Sequence, residues 1–121
     1  MADGLKPALV IVDLPVRDLQ AATAWYTRVL GHGPSGEPSP TDVEFDLRDG
    51  VSLLLTTGDE DAERAGAKVL LGVGDLDAER SRLADAGIGT GERQEIEGAL
   101  AWSDFESPEG HLLGLVQQLG R

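Results

Sequence analysis

At 121 residues the chain has the length of one ordinary domain, able to bury a core without covalent staples. It contains no cysteine, which excludes disulfides, thiolate metal sites and a thiol nucleophile and leaves His and carboxylate as the only metal ligands on offer. Ten Lys and Arg stand against 22 Asp and Glu, and a formal charge of −12 repels the phosphates of nucleic acid and of anionic membranes.

No apolar run approaches the roughly 20 residues of a membrane-crossing helix. Met1-Ala-Asp-Gly lacks the basic and apolar regions of a signal peptide, so the expectation is a soluble, cytoplasmic protein. The acidity either keeps the chain soluble or complements a cationic ligand. The second reading needs carboxylates that share a face.

In chain order, residues 1–7 read as a lead-in closed by Pro7, and the β-branched run from Ala8 to Val16 reads as a buried strand interrupted by Asp13. Asp18 then precedes Leu19, Ala22, Trp25, Tyr26, Val29 and Leu30 at helical spacing, with Gly31 behind them, which predicts an amphipathic helix over about 19–30. His32 to Thr41 holds three Pro and two Gly and reads as a loop or a broken edge strand. Val43–Leu47 and Val51–Thr57 are predicted strands around a three-residue loop, Arg48-Asp49-Gly50. That loop puts Leu47 opposite Val51 and keeps Glu44 and Asp46 off the face that carries Phe45, Leu53 and Leu55. Residues 58–66 form an acidic connector. A second buried strand spans Ala67 to Val73, Asp75 caps a helix from about Leu76 to Ala86, and Gly87 ends it. A short strand is expected near Glu92–Ile96. Leu100–Glu106 and His111–Gln117 close the chain as a hairpin around Ser107-Pro-Glu-Gly110, where Pro108 sets an early turn position and Gly110 accepts φ > 0.

The chain repeats itself. Val16-Arg-Asp-Leu and Val73-Gly-Asp-Leu each join strand to helix 57 positions apart, and Gly50 and Gly110 each close a hairpin 60 positions apart. Each half is therefore strand, helix, then about three strands: module one over about 8–57 and module two over about 67–117, within a single domain of residues 1–121. With Val16-Arg-Asp-Leu, Trp25-Tyr26, Leu30-Gly31 and Ser107-Pro-Glu-Gly-His111 in place, the chain resembles the vicinal oxygen chelate superfamily, the glyoxalase, bleomycin-resistance and extradiol-dioxygenase group. The resemblance covers about residues 8–117 and is nearest in character to the metal-free bleomycin-resistance-like binders.

That resemblance implies an α+β fold of two βαβββ modules, forming a curved mixed sheet with a concave ligand groove and helices on its outer face. It also implies a homodimer, and in catalytic members a divalent metal held by His, Glu or Gln. Placed by distance from the repeat landmarks, the ligand positions implied by the resemblance fall on Ile11, Leu54, Lys68 and Gly114. Two are aliphatic, one is an ammonium and one has no side chain, so the expectation is no metal and no cofactor. His32 and His111 are read as structural or solvated.

Period-2 alternation assigns Val10, Val12, Leu14, Leu53, Leu55, Val69, Leu71, Val73, Leu113 and Leu115 to the helix side. The opposite face receives Asp13, Glu44, Asp46, Leu54, Lys68, Leu112 and Gly114, joined by Trp102 and Asp104 if Phe105 packs inward as Phe45 does. These nine are the candidate ligand-binding residues, with no catalytic residue assigned. An apolar floor with an indole and several carboxylates suits a cationic or aromatic small molecule. Gly114 is expected to leave room where a ligating side chain would stand. Asp13 could instead pair with Lys68, or act as a general base beside it. Trp25 and Tyr26 are read as core or as a subunit contact. The leading expectation is a metal-free protein of the antibiotic-resistance type that sequesters a natural product. The alternative is a glyoxalase-like enzyme or a metal-free lyase or isomerase on the same fold.

Overall fold

The computed structural model describes residues 10–58 and 68–119. The lead-in, the start of the first strand, and all of the acidic connector but Gly58 lie outside them. The described elements run β1 (Val10–Pro15), α1 (Leu19–Leu30), β2 (Gly36–Ser39), β3 (Asp42–Arg48), β4 (Val51–Thr56), β5 (Lys68–Gly72), α2 (Leu76–Asp85), β6 (Gln94–Ile96), β7 (Leu100–Glu106) and β8 (Leu112–Gln118). They form two four-stranded mixed sheets, ordered β1-β4-β3-β2 and β5-β8-β7-β6, each with one parallel pair at the β1 or β5 edge. This is an α+β fold of two βαβββ modules. By contacts, the described residues fall into two compact units, one of 10–27 and 32–58, the other of 28–31 and 68–119.

Both helices start and stop as their sequences dictate. The Asp18 carboxylate accepts from the Ala21 amide at 3.0 Å and the Asp75 carboxylate from the Ala78 amide at 3.1 Å, each satisfying a donor of the first turn. Gly31 and Gly87 follow the helices with φ of 80° and 84°, a backbone region that favours glycine. The Gln117 side chain, reaching from β8, accepts from the Leu76 amide at 2.7 Å and supplies a second cap to α2. The C-terminal turns are held differently. Arg82 donates to the carbonyls of Arg28 at 3.2 Å and Val29 at 2.6 Å, while Arg28 donates to the carbonyl of Ala86 at 3.1 Å.

In the first unit, Tyr26 and Phe45 are 1% and 0% exposed with ring centroids 6.5 Å apart, and Trp25 meets Tyr26 edge-on at 4.9 Å. These rings join Leu14, Val43, Leu53 and Leu55 in the core, so Trp25 and Tyr26 are core residues of this unit. In the second unit α2 packs on β7 and β8, burying Leu76 and Leu83 among Ala101, Phe105, Leu113 and Leu115. Burial of each such side chain is worth about 1.5–3 kcal/mol, which fixes the face each strand shows to its helix. Val10 departs from its expected core place: at the start of an edge strand, it is 44% exposed. Of the two histidines, His111 is buried and His32 exposed.

The β3–β4 hairpin corrects the expected loop. Arg48 pairs with Val51 and Asp46 with Ser52, so the turn is the two-residue Asp49-Gly50, with Gly50 at φ 77°, and Leu47 is the extra residue of a bulge. A plain two-residue turn would place Glu44 and Asp46 among the leucines. The bulge restores the parity, keeping Phe45 opposite Leu53 and Glu44 opposite Leu54. The Pro-rich segment forms β2, an edge strand whose register against β3 shifts between Gly36 and Ser39.

Candidate functional site

The candidate residues gather into one group on each unit, both on the sheet face opposite the helix. In the first unit Asp13, Leu54 and Glu44 stand side by side across β1, β4 and β3, with Ile11, Ser52 and Asp46 in the next row. Ser52 donates to the Asp46 carboxylate at 3.2 Å. Glu44, Asp46, Asp49 and Ser52 line a shallow depression of ≈ 380 Å³, in which Arg48 is the basic residue. This face combines aliphatic surface at Ile11, 46% exposed, and Leu54 with a concentration of negative charge.

In the second unit the rows are Lys68, Leu112, Glu106; Leu70, Gly114, Asp104; and Gly72, Val116, Trp102. Phe105 is 8% exposed on the helix side, which turns Trp102 and Asp104 to the opposite face as alternation requires. Lys68 Nζ lies 3.0 Å from Asp104 Oδ2, so the ion pair runs diagonally across the central strand β8. Lys68 thus takes a carboxylate of its own unit. The other oxygen, Asp104 Oδ1, is buried and has no hydrogen-bond partner among the described residues.

Gly114 makes this arrangement possible, and the room expected there is filled. A Cβ at this position would stand 2.8 Å from Leu70 Cδ2 and 2.9 Å from Asp104 Oδ1, with Lys68 Cδ at 3.7 Å. Three neighbours lean over the bare backbone. At the C-terminal end of β5 lies a depression of ≈ 440 Å³ lined by Gly72, Val73, Gly74, Leu100, Val116, Gln117 and Gln118, residues of both strand parities. Gly72 and Gly74 have nothing within 4 Å of a would-be Cβ, so the floor there is open backbone. Sequence reasoning did not single out this depression; the spacing Gly72-Val73-Gly74 at a strand end was its signal.

A divalent metal does not fit the four positions implied by the resemblance. Ile11 and Leu54 bring no donor, Lys68 is cationic and engaged with Asp104, and the space over Gly114 is occupied. Among the described residues no three His, Asp or Glu side chains converge as a metal ligand set.

The model of the glyoxalase-like domain matches residues 9–116, both modules from end to end. The chain belongs to this family. No curated protein matches it. Solved structures with the family's architecture include a glyoxalase/bleomycin resistance protein from Catenulispora acidiphila, at 26% identity and TM-score 0.77, with 90% of this chain and 96% of that one covered. A second is TnmS3, an antibiotic binding protein from a Streptomyces species, at 21% identity and TM-score 0.77, with 98% of each chain covered. A third is a lactoylglutathione lyase from Agrobacterium tumefaciens, at 20% identity and TM-score 0.74, covering 93% and 94%. Binders and an enzyme thus share the family's architecture, and function has to be argued from the residues on the open faces.

Proposed function

We propose that this protein is a metal-free small-molecule binder of the antibiotic-resistance type, sequestering a cationic or aromatic natural product on the sheet faces opposite the helices. The observation that carries the reading is Asp104, whose Oδ1 is buried without a donor among the described residues and which lies two residues along β7 from the half-buried Trp102. A buried carboxylate oxygen left unpaired is costly, and a ligand N–H offsets that cost. The indole beside it offers a face for ring stacking and for a cation. Glu44 and Asp46 on the first unit extend the preference for positive charge. Binding of this kind needs shape, stacking and charge but no chemistry, in keeping with a resistance protein that acts by sequestration. Structural similarity to an antibiotic binding protein supports this choice among the family's activities.

The reading includes a homodimer in the cytoplasm, which sedimentation velocity and cell fractionation check. Its central test is calorimetry with glycopeptide and other aromatic-cationic antibiotics, with and without Zn²⁺, Ni²⁺ or Fe²⁺. Saturable binding without metal is expected, weakened by Asp104→Asn and Trp102→Ala. Binding that requires metal, or stoichiometric metal in the purified protein, overturns the metal-free reading.

A further inference from the structure

We propose that Lys68 is a built-in occupant of the cation position at Asp104, displaced when an aryl amidine or aryl guanidine binds. The inference rests on the binding function proposed above and names the ligand class for the second unit's face.

Lys68 pairs in register with Leu112, one row away from Asp104, so its side chain must cross β8 to reach the carboxylate. It does so over Gly114, the one place on the central strand where no side chain bars the way. The contact is a single one, Nζ to Oδ2, and the two side chains are 39% and 43% exposed. A half-exposed pair made by a flexible, strongly hydrated ammonium is weak and reversible. Oδ1 meanwhile has no donor among the described residues. The lysine therefore answers half of the carboxylate's capacity.

A planar forked donor answers both halves, because two parallel N–H groups match the two oxygens of a carboxylate. Amidinium and guanidinium have this shape; a primary ammonium does not. What the group is attached to follows from the rows. Trp102 is two residues along β7 on the same face, about 7 Å away by strand geometry, and the glycine-floored depression opens at the next row. A ring joined directly to the amidine spans that distance and stacks on the indole. In the first unit the repeat position that corresponds to Lys68 is Ile11.

Benzamidine and phenylguanidine are the probes, benzylamine and neutral benzamide the controls, titrated by calorimetry into the wild type and variants. In the wild type, benzamidine binds more tightly than benzylamine, and benzamide does not bind. Lys68→Met tightens benzamidine about fivefold, the upper worth of an exposed ion pair. Lys68→Arg, which refills the position with its own fork, leaves affinity at or below wild type. Asp104→Asn weakens binding at least about tenfold, and in that background Lys68→Met changes nothing, since there is no carboxylate left to vacate. The Lys68 side-chain NMR signals shift on benzamidine addition, a readout independent of any variant's folding.

Unchanged or weakened affinity in Lys68→Met overturns the proposal. So does an equal tightening in the Asp104→Asn background, which would mean that Lys68 acts only as a distant like charge. Failure of benzamidine to bind while aromatic-cationic antibiotics do bind overturns this inference and leaves the proposed function standing. Failure of both sets of ligands overturns the proposed function itself.

Discussion

Arg28 and Arg82 close each other's helices. Arg82 on α2 donates to two carbonyls in the last turn of α1, and Arg28 in that turn donates to the Ala86 carbonyl beyond α2. Each guanidinium thus sits at the negative end of the other helix and satisfies acceptors that a helix leaves unpaired. The two sides are unequal. Arg82 makes two such bonds, one at 2.6 Å, and is steadied by Glu79 at 2.8 Å, whereas Arg28 makes one at 3.1 Å. Arg82→Ala is expected to cost about 1–2 kcal/mol and Arg28→Ala less than about 1. Urea titration would show the midpoint fall with m unchanged. Arg82→Lys should recover less than half the loss, because an ammonium lacks the fork that reaches two carbonyls.

The two glycines on the open face of the second unit behave oppositely on substitution. At Gly114 even a methyl group meets Leu70 and Asp104 inside 3 Å, so Gly114→Ala is expected to destabilise by about 1–3 kcal/mol. At Gly72 the space is free, and Gly72→Ala is expected to leave stability unchanged or raise it by about 0.4–1 kcal/mol through a stiffer unfolded chain. Trimming Leu70 to Ala in the Gly114→Ala background returns part of the loss. Thermal melts of the four proteins decide the matter.

Trp25 and Trp102 report on different places, since Trp25 is 6% exposed in the first unit's core and Trp102 is half-buried on the open face. Acrylamide should quench Trp102 far more than Trp25. A fluorescence change on ligand binding should vanish in Trp102→Phe and survive in Trp25→Phe. The reverse pattern would move the site away from β7.

Gln117 caps α2 from β8, and Gln117→Leu leaves the Leu76 amide without its acceptor. A loss of about 1 kcal/mol is expected, typical of a missing helix cap. Faster hydrogen exchange in the first turn of α2 should accompany it.

Much of the fold was legible because local chemistry and burial agree. Asp18 and Asp75 cap where a cap is needed, Gly31 and Gly87 stop the helices, and alternation put Phe45 on the correct side. The β3–β4 loop was harder. Both a three-residue loop and a two-residue turn with a bulge satisfy the same apolar pattern, and only register separates them. On the open faces, alternation placed Trp102 and Asp104 beside Gly114 only on the condition that Phe105 packs inward, and the pairing of Lys68 was not legible. That contact is diagonal, depends on the missing side chain at Gly114, and leaves no mark on periodicity. Nor could pattern show that Leu70 and Asp104 fill the position a glycine vacates.

The parallel edge pairs also bear on the order of folding. Val10 meets Val51 and Lys68 meets Leu112, 41 and 44 positions apart, whereas β3–β4 and β7–β8 are joined by tight turns. Closing a long loop costs entropy before its contacts repay it, so the hairpins should form early and β1 and β5 dock late. Substitutions at Val12 and Val69 are then expected to speed unfolding and leave the refolding rate nearly untouched, while those at Leu53 and Leu113 slow refolding. Stopped-flow chevrons would separate the two groups. If the order holds, the face that carries Lys68 is among the last parts of the molecule to exist.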